Sequence, residues 1–316
     1  MINAKQLTRK YGSFTAIQDL NFSIPRGQIV GLLGHNGAGK TTTLKILTGY
    51  MEATSGSISI GGVDVQENRQ DIQKNLGYLP EVSPLYPEMT VWQYLDHIAD
   101  LRNISSEKKN SAIAEAIKAT ELGDKAASYI NTLSKGYRQR VGVAQAIIHK
   151  PEILILDEPT NGLDPSQIIT MRNLIKNLSK TSTVIISTHI MQEVEAICDR
   201  VIIILNGKIA LDSDLSQLKA SENQLIIGVN AEYKDVLNSL SSINGINEIQ
   251  DLQSSSSFKE YSIKLDENCD HNINPTIVKK VSEQGWDLYK LTTEQRTLET
   301  IFKEVNSKLI EGAQHV

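Results

Sequence analysis

The sequence predicts an α/β core built on a parallel sheet, interrupted by a helical insertion and followed by a smaller α+β unit. Three observations carry that reading. Several short runs are apolar at consecutive positions, as strands covered on both faces require. A glycine-rich loop lies between the first of these runs and a segment of helical periodicity. After about residue 214 the pattern changes to shorter, less apolar elements.

QIVGLL (28–33) is the first run and leads directly into GHNGAGKTT (34–42). TTTLKILTG then places Leu44, Leu47 and Thr48 at helical spacing and stops at Gly49, a helix terminator. EILILD (152–157), TVIIS (183–187) and RVIIIL (200–205) supply further doubly buried strands. Between them, residues 85–150 read as helical. Thr90-Val91-Trp92-Gln93 has the form of a capping box, with Met89 and Tyr94 placed as its hydrophobic staple. That helix turns Val91, Leu95 and Ile98 inward, and a second carries Ile113, Ala116 and Ile117. A third, following Gly136, carries Val141, Ala144 and Ile148 on one stripe.

Beyond residue 214, QLIIGV, GINEIQDL, FKEYSIKLD and WDLYKL read as strands, and EYKDVLNSL and NPTIVKKVSEQ as helices. A Ser-rich turn at 254–257 separates the middle strands. The order βαββαβ is that of ferredoxin-like folds. TLETIFKEVNSKL adds an amphipathic helix at the end. The expected division is 1–214 for the core, with its helical insertion at about 85–150, and 215–316 for the accessory domain.

Composition narrows the function. A chain of 316 residues with 40% hydrophobic and 22% charged residues is ordinary for a globular protein of two domains. A formal charge of −5 weighs against a nucleic-acid partner, which calls for a basic face. Cys198 and Cys269 are far apart and form no pairing pattern, so free thiols in a reducing cytosol are expected. MINAKQLTRKYG has no apolar signal segment, and VIIIL at 201–205 falls far short of the roughly 18 residues that span a bilayer. The expected location is the cytoplasm.

The loop itself matches G-x-x-x-x-G-K-[ST] through Gly34, His35, Asn36, Gly37, Ala38, Gly39, Lys40 and Thr41, with Thr42 next. Backbone N–H groups of such a turn point inward and cradle an anion. The N-terminus of the following helix adds unpaired donors and a positive dipole end. Lys40 brings a cation to the β- and γ-phosphates of a nucleotide, and the Thr41 hydroxyl can ligate Mg²⁺. Asp157 and Glu158 end a buried strand. An acid there can hold the Mg²⁺ shell, and the next one can orient or deprotonate the attacking water.

ILILDEPTNGLDP, preceded by LSKGYRQR at 133–140, makes the chain resemble an ABC ATPase over about residues 1–214. The resemblance implies a P-loop NTPase core with a helical subdomain that binds and hydrolyses ATP. LSKGYRQR is similar to the signature usually written LSGGQ. Lys135 replaces its first glycine, while Ser134 and Gly136 remain to meet a γ-phosphate. The resemblance further implies that the signature of one copy completes the ATP site of a second, head to tail. Asn161-Gly162-Leu163-Asp164 matches the interface loop usually written SALD, and Asp164 keeps its place. His189 of STHI matches the histidine that contacts the γ-phosphate.

Tyr11 stands where the family places a ring against adenine; the lesser alternative, read from the residues alone, is a core tyrosine of an early strand. Glu81 of GYLPE replaces the usual glutamine that ligates Mg²⁺ and touches the membrane partner. The implied partners are a multi-span membrane permease and a second ATPase subunit, here an identical chain. The implied site is peripheral, on the inner face of the membrane. LSKGYRQR with STHIMQEVEAICDRV resembles the ATP-binding subunits of gliding-motility and drug-exporter-type complexes. A working role on ribosomes or DNA is the alternative. The accessory domain either regulates closure and dimerisation or is a passive appendage.

Overall fold

The architecture is described by a computed structural model covering residues 1–220, 223–252, 258–266, 273–295 and 297–303. Two compact units divide at Asp214/Leu215. The first opens with β1 (Ile2–Tyr11), β2 (Phe14–Ile24), β3 (Ile29–Leu33), α1 (Lys40–Leu47), β4 (Ser55–Ile60), β5 (Val63–Asp64), α2 (Arg69–Lys74) and β6 (Leu76–Leu79). Helices α3 (Val91–Leu101), α4 (Ser106–Ala119) and α5 (Lys135–Ile147) follow. The unit closes with β7 (Ile153–Asp157), α6 (Pro165–Leu178), β8 (Thr183–Thr188), α7 (Met191–Ile197), β9 (Arg200–Leu205) and β10 (Lys208–Asp214).

A six-stranded sheet in the order β10-β9-β3-β8-β7-β6 forms the centre. Its inner strands pair in parallel, and β3, β7 and β8 are buried at every residue. The unbroken apolar runs therefore have their cause in cover on both sides. One face packs against α1 and a second sheet, β2-β1-β4-β5, through Leu7, Ile17, Leu44 and Ile185. The other packs against α5, α6 and α7 through Val143, Met171, Ile186 and Ile197. The antiparallel edge strand β10 follows Asn206-Gly207, whose φ values of 49° and 75° suit a two-residue hairpin turn.

The helical insertion has its own core, in which Val91, Leu95, Ile113, Ile117, Val141 and Ile148 meet. Thr90 and Gln93 form the capping box reciprocally, at 3.2 and 2.9 Å. One expectation needs correction. The third helix begins at Lys135, with Ser134 as its N-cap, so Gly136 lies inside the first turn rather than ahead of it. The Ser134 hydroxyl accepts the Tyr137 N–H and makes the earlier start possible. Helix α5 presents Val141 and Ala144 to the insertion and Val143 and Ala146 to the sheet. It thus fastens the two together.

The second unit contains α8 (Leu215–Ala220), β11 (Asn223–Val229), α9 (Tyr233–Leu240), β12 (Ile246–Asp251), β13 (Lys259–Leu265), α10 (Ile273–Glu283) and β14 (Leu288–Gln295). From β11 the order is βαββαβ, and the strands line up antiparallel as β12-β13-β11-β14. This is the ferredoxin-like arrangement. Its core joins Leu225, Ile227 and Val229 to Val236, Leu240, Ile277 and Val281. The last strand runs to Gln295, beyond the WDLYKL segment. Residues 298–303 are helical and Thr297 precedes the helix; the expected final helix beyond residue 303, the turn at 254–257 and Cys269 lie outside the described residues. Cys198 is a free thiol that burial pushes above its usual pKa. Among the described residues no helix is long and apolar enough to cross a membrane.

Candidate nucleotide site

The loop 34–39 leaves the carboxyl end of β3 and enters α1 at Lys40, the crevice where ligands bind in open α/β sheets. Gly39 has φ 109°, a conformation that L side chains rarely adopt. A Cβ there would also lie 2.6 Å from Ile17 Cγ2 and 2.9 Å from the Ala16 carbonyl. At Gly34 a Cβ would strike the Ile204 carbonyl. The glycines therefore answer to packing as well as to phosphate access. The β9–β10 turn buttresses the loop from behind: Gly207 donates to the Ala38 carbonyl at 3.1 Å and accepts from the Gln18 N–H at 2.7 Å. His35, Asn36 and Gly37 form the exposed crest, whereas Ala38, Gly39 and Lys40 are buried.

Lys40 folds back over this loop. Its Nζ donates to the Gly34 carbonyl at 2.7 Å and the His35 carbonyl at 3.3 Å, and lies 3.4 Å from Glu158 Oε1. The other Glu158 oxygen accepts from His189 Nδ1 at 2.9 Å. Lys40, Glu158 and His189 thus form one continuous polar chain. Lys40 and Glu158 are buried, while the His189 side chain is 40% exposed and leads outward. Glu158 has φ 49°, an unfavourable region for a side chain of its size. Its N–H donates to both the carbonyl and the hydroxyl of Ser187, each at 3.1 Å, which holds that conformation.

Asp157 is 1% exposed. Its Oδ1 accepts from the Ser187 hydroxyl and lies 3.4 Å from Thr41 Oγ1. Its Oδ2 is buried with no hydrogen-bond partner. An orphaned carboxylate oxygen is costly unless something outside the protein satisfies it. A hard divalent cation, or its bound water, fits that oxygen and the neighbouring Thr41 hydroxyl. Thr42 is half-buried beside Thr41, and Thr43 turns inward to the Gly39 carbonyl at 2.9 Å.

The segment 133–140 opens α5 and exposes Ser134 and Lys135. Ser134 is exposed and caps α5, and Gly136 is buried beneath Gln167, whose Oε1 would lie 2.5 Å from a Cβ at Gly136. Asp164 caps α6, its Oδ1 accepting from Ser166 Oγ at 2.7 Å and Gln167 N at 2.9 Å. These bonds hold its carboxyl below the usual range. Two departures from the family pattern meet here: the Lys135 ammonium rests where a side chain at Gly162 would be.

A family model described as "ABC transporter" matches residues 17–161. The bacitracin transport ATP-binding protein BcrA of Bacillus licheniformis is 40% identical over 221 residues, 69% of this chain and 71% of that protein. The chain belongs to the ABC transporter ATP-binding family. The linearmycin resistance ATP-binding protein LnrL of Bacillus subtilis is 28% identical over 98% of this chain and 99% of its own length, the second unit included. The dimeric, post-hydrolysis structure of the ATP-binding cassette MJ0796 bound to ADP and Pi superposes with a TM-score of 0.62. It is 26% identical and covers 68% of this chain and 99% of that one.

For an ABC ATP-binding chain, two expected positions are less tightly built. Tyr11 is 42% exposed, which removes the core-tyrosine reading. The Arg9 guanidinium sits 4.9 Å from its ring centroid and its hydroxyl donates to Met51 Sδ at 2.9 Å. Glu81 is exposed just beyond β6. Tyr78 links it loosely to the site: burial, then the charges on Asp157, Tyr50 and Glu81, push the Tyr78 phenol up. Sequence reasoning missed Ser187 and Glu193. Ser187 stands two residues before His189 and reads only as the end of a strand. Glu193 sits in MQEVEA, where an acid reads as a solvated helix face, yet it is 2% exposed.

Proposed function

We propose that this chain is the ATP-hydrolysing subunit of an exporter-type ABC transporter, closing as a head-to-tail homodimer on ATP to drive a separate multi-span permease. The observation that carries the reading is the chain Lys40–Glu158–His189 running beside Asp157, whose Oδ2 has no protein partner. Mg²⁺, held by Thr41 and Asp157, with Glu81 as a candidate, would neutralise charge on the β- and γ-phosphates.

The residues then have separable work. Phosphate oxygens compete with the Gly34 and His35 carbonyls for Lys40 and draw the ammonium away from Glu158. Glu158 is left as the base for a water, steered by His189. With Nδ1–H given to Glu158, a neutral His189 ring presents Nε2 as an acceptor; donation from Nε2 toward phosphate requires the other tautomer or the imidazolium. Ser134 and the N-terminal N–H groups of α5 offer donors to a phosphate on a facing copy, and Asp164 lies at that interface. Tyr11 offers a ring face to adenine.

Relatives named for bacitracin transport and linearmycin resistance support export over gliding motility, the other direction the sequence left open. The permease would hold the chain at the inner face of the membrane. Affinity purification of the full-length chain from its own cells, with ATPase assay of the eluate, tests this. Co-elution of a multi-span protein and Mg²⁺-dependent ATP hydrolysis are expected. Recovery with ribosomes or DNA, or an eluate without ATPase activity, would overturn it.

A further inference from the structure

Behind the Glu158–His189 pair is a second, wholly buried polar cluster with no part in the mechanism above. Glu193, in α7, places one carboxylate oxygen on the Thr160 hydroxyl and the other on the Thr188 hydroxyl, the latter at 2.9 Å. Thr160, Thr188 and Glu193 are 4%, 1% and 2% exposed. Thr160 lies two residues after Glu158 on the loop leaving β7. Thr188 ends β8 and immediately precedes His189. The Thr188 oxygen also accepts the Ile190 N–H at 3.0 Å, fixing the backbone on the far side of His189.

We propose that Glu193 is a positioning residue that sets the separation of Glu158 from His189. The inference rests on reading that pair as the hydrolytic centre. A carboxylate is acceptor-only, so both hydroxyls must donate to it, and each donor has a fixed direction. The two loops are thereby bridged from behind, while Glu158 and His189 bridge them in front at 2.9 Å. Burying an acid is costly, and among the described residues the Glu193 carboxylate meets hydroxyls and no cation. An apolar side chain would fill a helix–sheet junction more cheaply, but could not tie two loops to one point. Ser187 supplies the other tie, through the Glu158 N–H and the Asp157 carboxylate.

The test uses steady-state ATPase activity of the full-length chain, with binding of a nonhydrolysable ATP analogue measured separately. Glu193→Ala is expected to lower kcat by about 100-fold, as misplacement of reacting groups by an ångström does, with analogue affinity within about twofold of wild type. Glu193→Gln, which keeps the shape and one acceptor oxygen, should recover most of that loss. In a His189→Ala background the further loss from Glu193→Ala should shrink to a few-fold, because residues acting through one another are not additive. Should Glu193→Ala fold poorly, Thr160→Val cuts one tie and keeps the shape; lowered kcat with unchanged analogue affinity is again expected.

Unchanged kcat in these variants, losses that multiply with His189→Ala, or kcat falling only in step with analogue binding would each overturn the proposal. An inactive wild type would overturn the hydrolytic reading and this inference with it. An active wild type with unaffected Glu193 variants overturns this inference alone.

Discussion

The phosphate loop and the signature segment belong to the same unit but are built to opposite specifications. The loop is held from every side: by Ala16 and Ile17 beneath Gly39, by the Asn206-Gly207 turn behind Ala38, and by Lys40 across its mouth. Its charged groups are buried and mutually engaged. The signature presents Ser134 and Lys135 on an exposed helix end, engaged chiefly in capping that helix. A site that acted alone would need both halves facing one another. The difference is one of construction: the first half is buried and internally bonded, whereas the second is exposed, as the proposed contact with a facing copy would need.

The largest expected effect tests the buried half. Glu158→Gln removes the base while keeping shape, and kcat should fall by about 100- to 10,000-fold with ATP binding retained. Retained binding without turnover should also trap a closed dimer, visible by size-exclusion chromatography with ATP. Near-wild-type hydrolysis would remove Glu158 from its place. Lys40→Ala comes next: ATP affinity itself should drop by roughly tenfold or more, because a charge-assisted contact is lost. Calorimetric titration checks this, and unchanged affinity would break the comparison at its stronger side.

Ser134→Arg tests the exposed half. It replaces a cap, at a cost of about 1 kcal/mol to the helix, and puts bulk and charge on the proposed interface. ATP should still bind the monomer with near-wild-type affinity, and ATP-driven dimerisation should disappear. Unaltered dimerisation would show that the exposed helix end is no interface.

The sequence discloses these two halves unequally. The loop is legible because its glycines, lysine and threonine follow a spacing that backbone geometry and phosphate chemistry both demand. The central strands are legible because burial on both faces leaves no polar position. The second unit's strand order follows from its element order. The antiparallel sheet β2-β1-β4-β5 escapes such reading, since its strands mix exposed and buried positions and its first strand pairs with register shifts. Glu193 and Ser187 escape for a different reason. Their roles depend on partners at Thr160, Asp157 and Glu158, which the parallel pairing of β7 with β8 brings close, and, for Glu193, on Thr188 five residues before it. Local pattern carries no trace of a bond across two strands.

The smallest effect concerns what keeps the exposed half attached. Helix α5 begins at the signature and ends close to His149, whose Nε2 lies 3.2 Å from the Leu76 carbonyl on β6 and whose Nδ1 is buried without a partner. Burial first, then the Arg102 charge, lowers the His149 pKa to about 4. An unfolded histidine titrates near 6.5, so between about pH 6.5 and pH 4 the unfolded chain binds a proton that the folded one does not. The contribution of neutral His149 is therefore complete above that window, is lost progressively as pH falls through it, and levels off below. Thermal melts at pH 7 and pH 5 should show a drop of a few degrees in wild type that is reduced in His149→Gln. Because His149 follows α5 and bonds to β6, hydrogen exchange at pH 5 should quicken in α5 before it quickens in α1. Simultaneous loss of protection in both helices would mean that the two halves share one rigidity, and the contrast between them would lie in exposure alone.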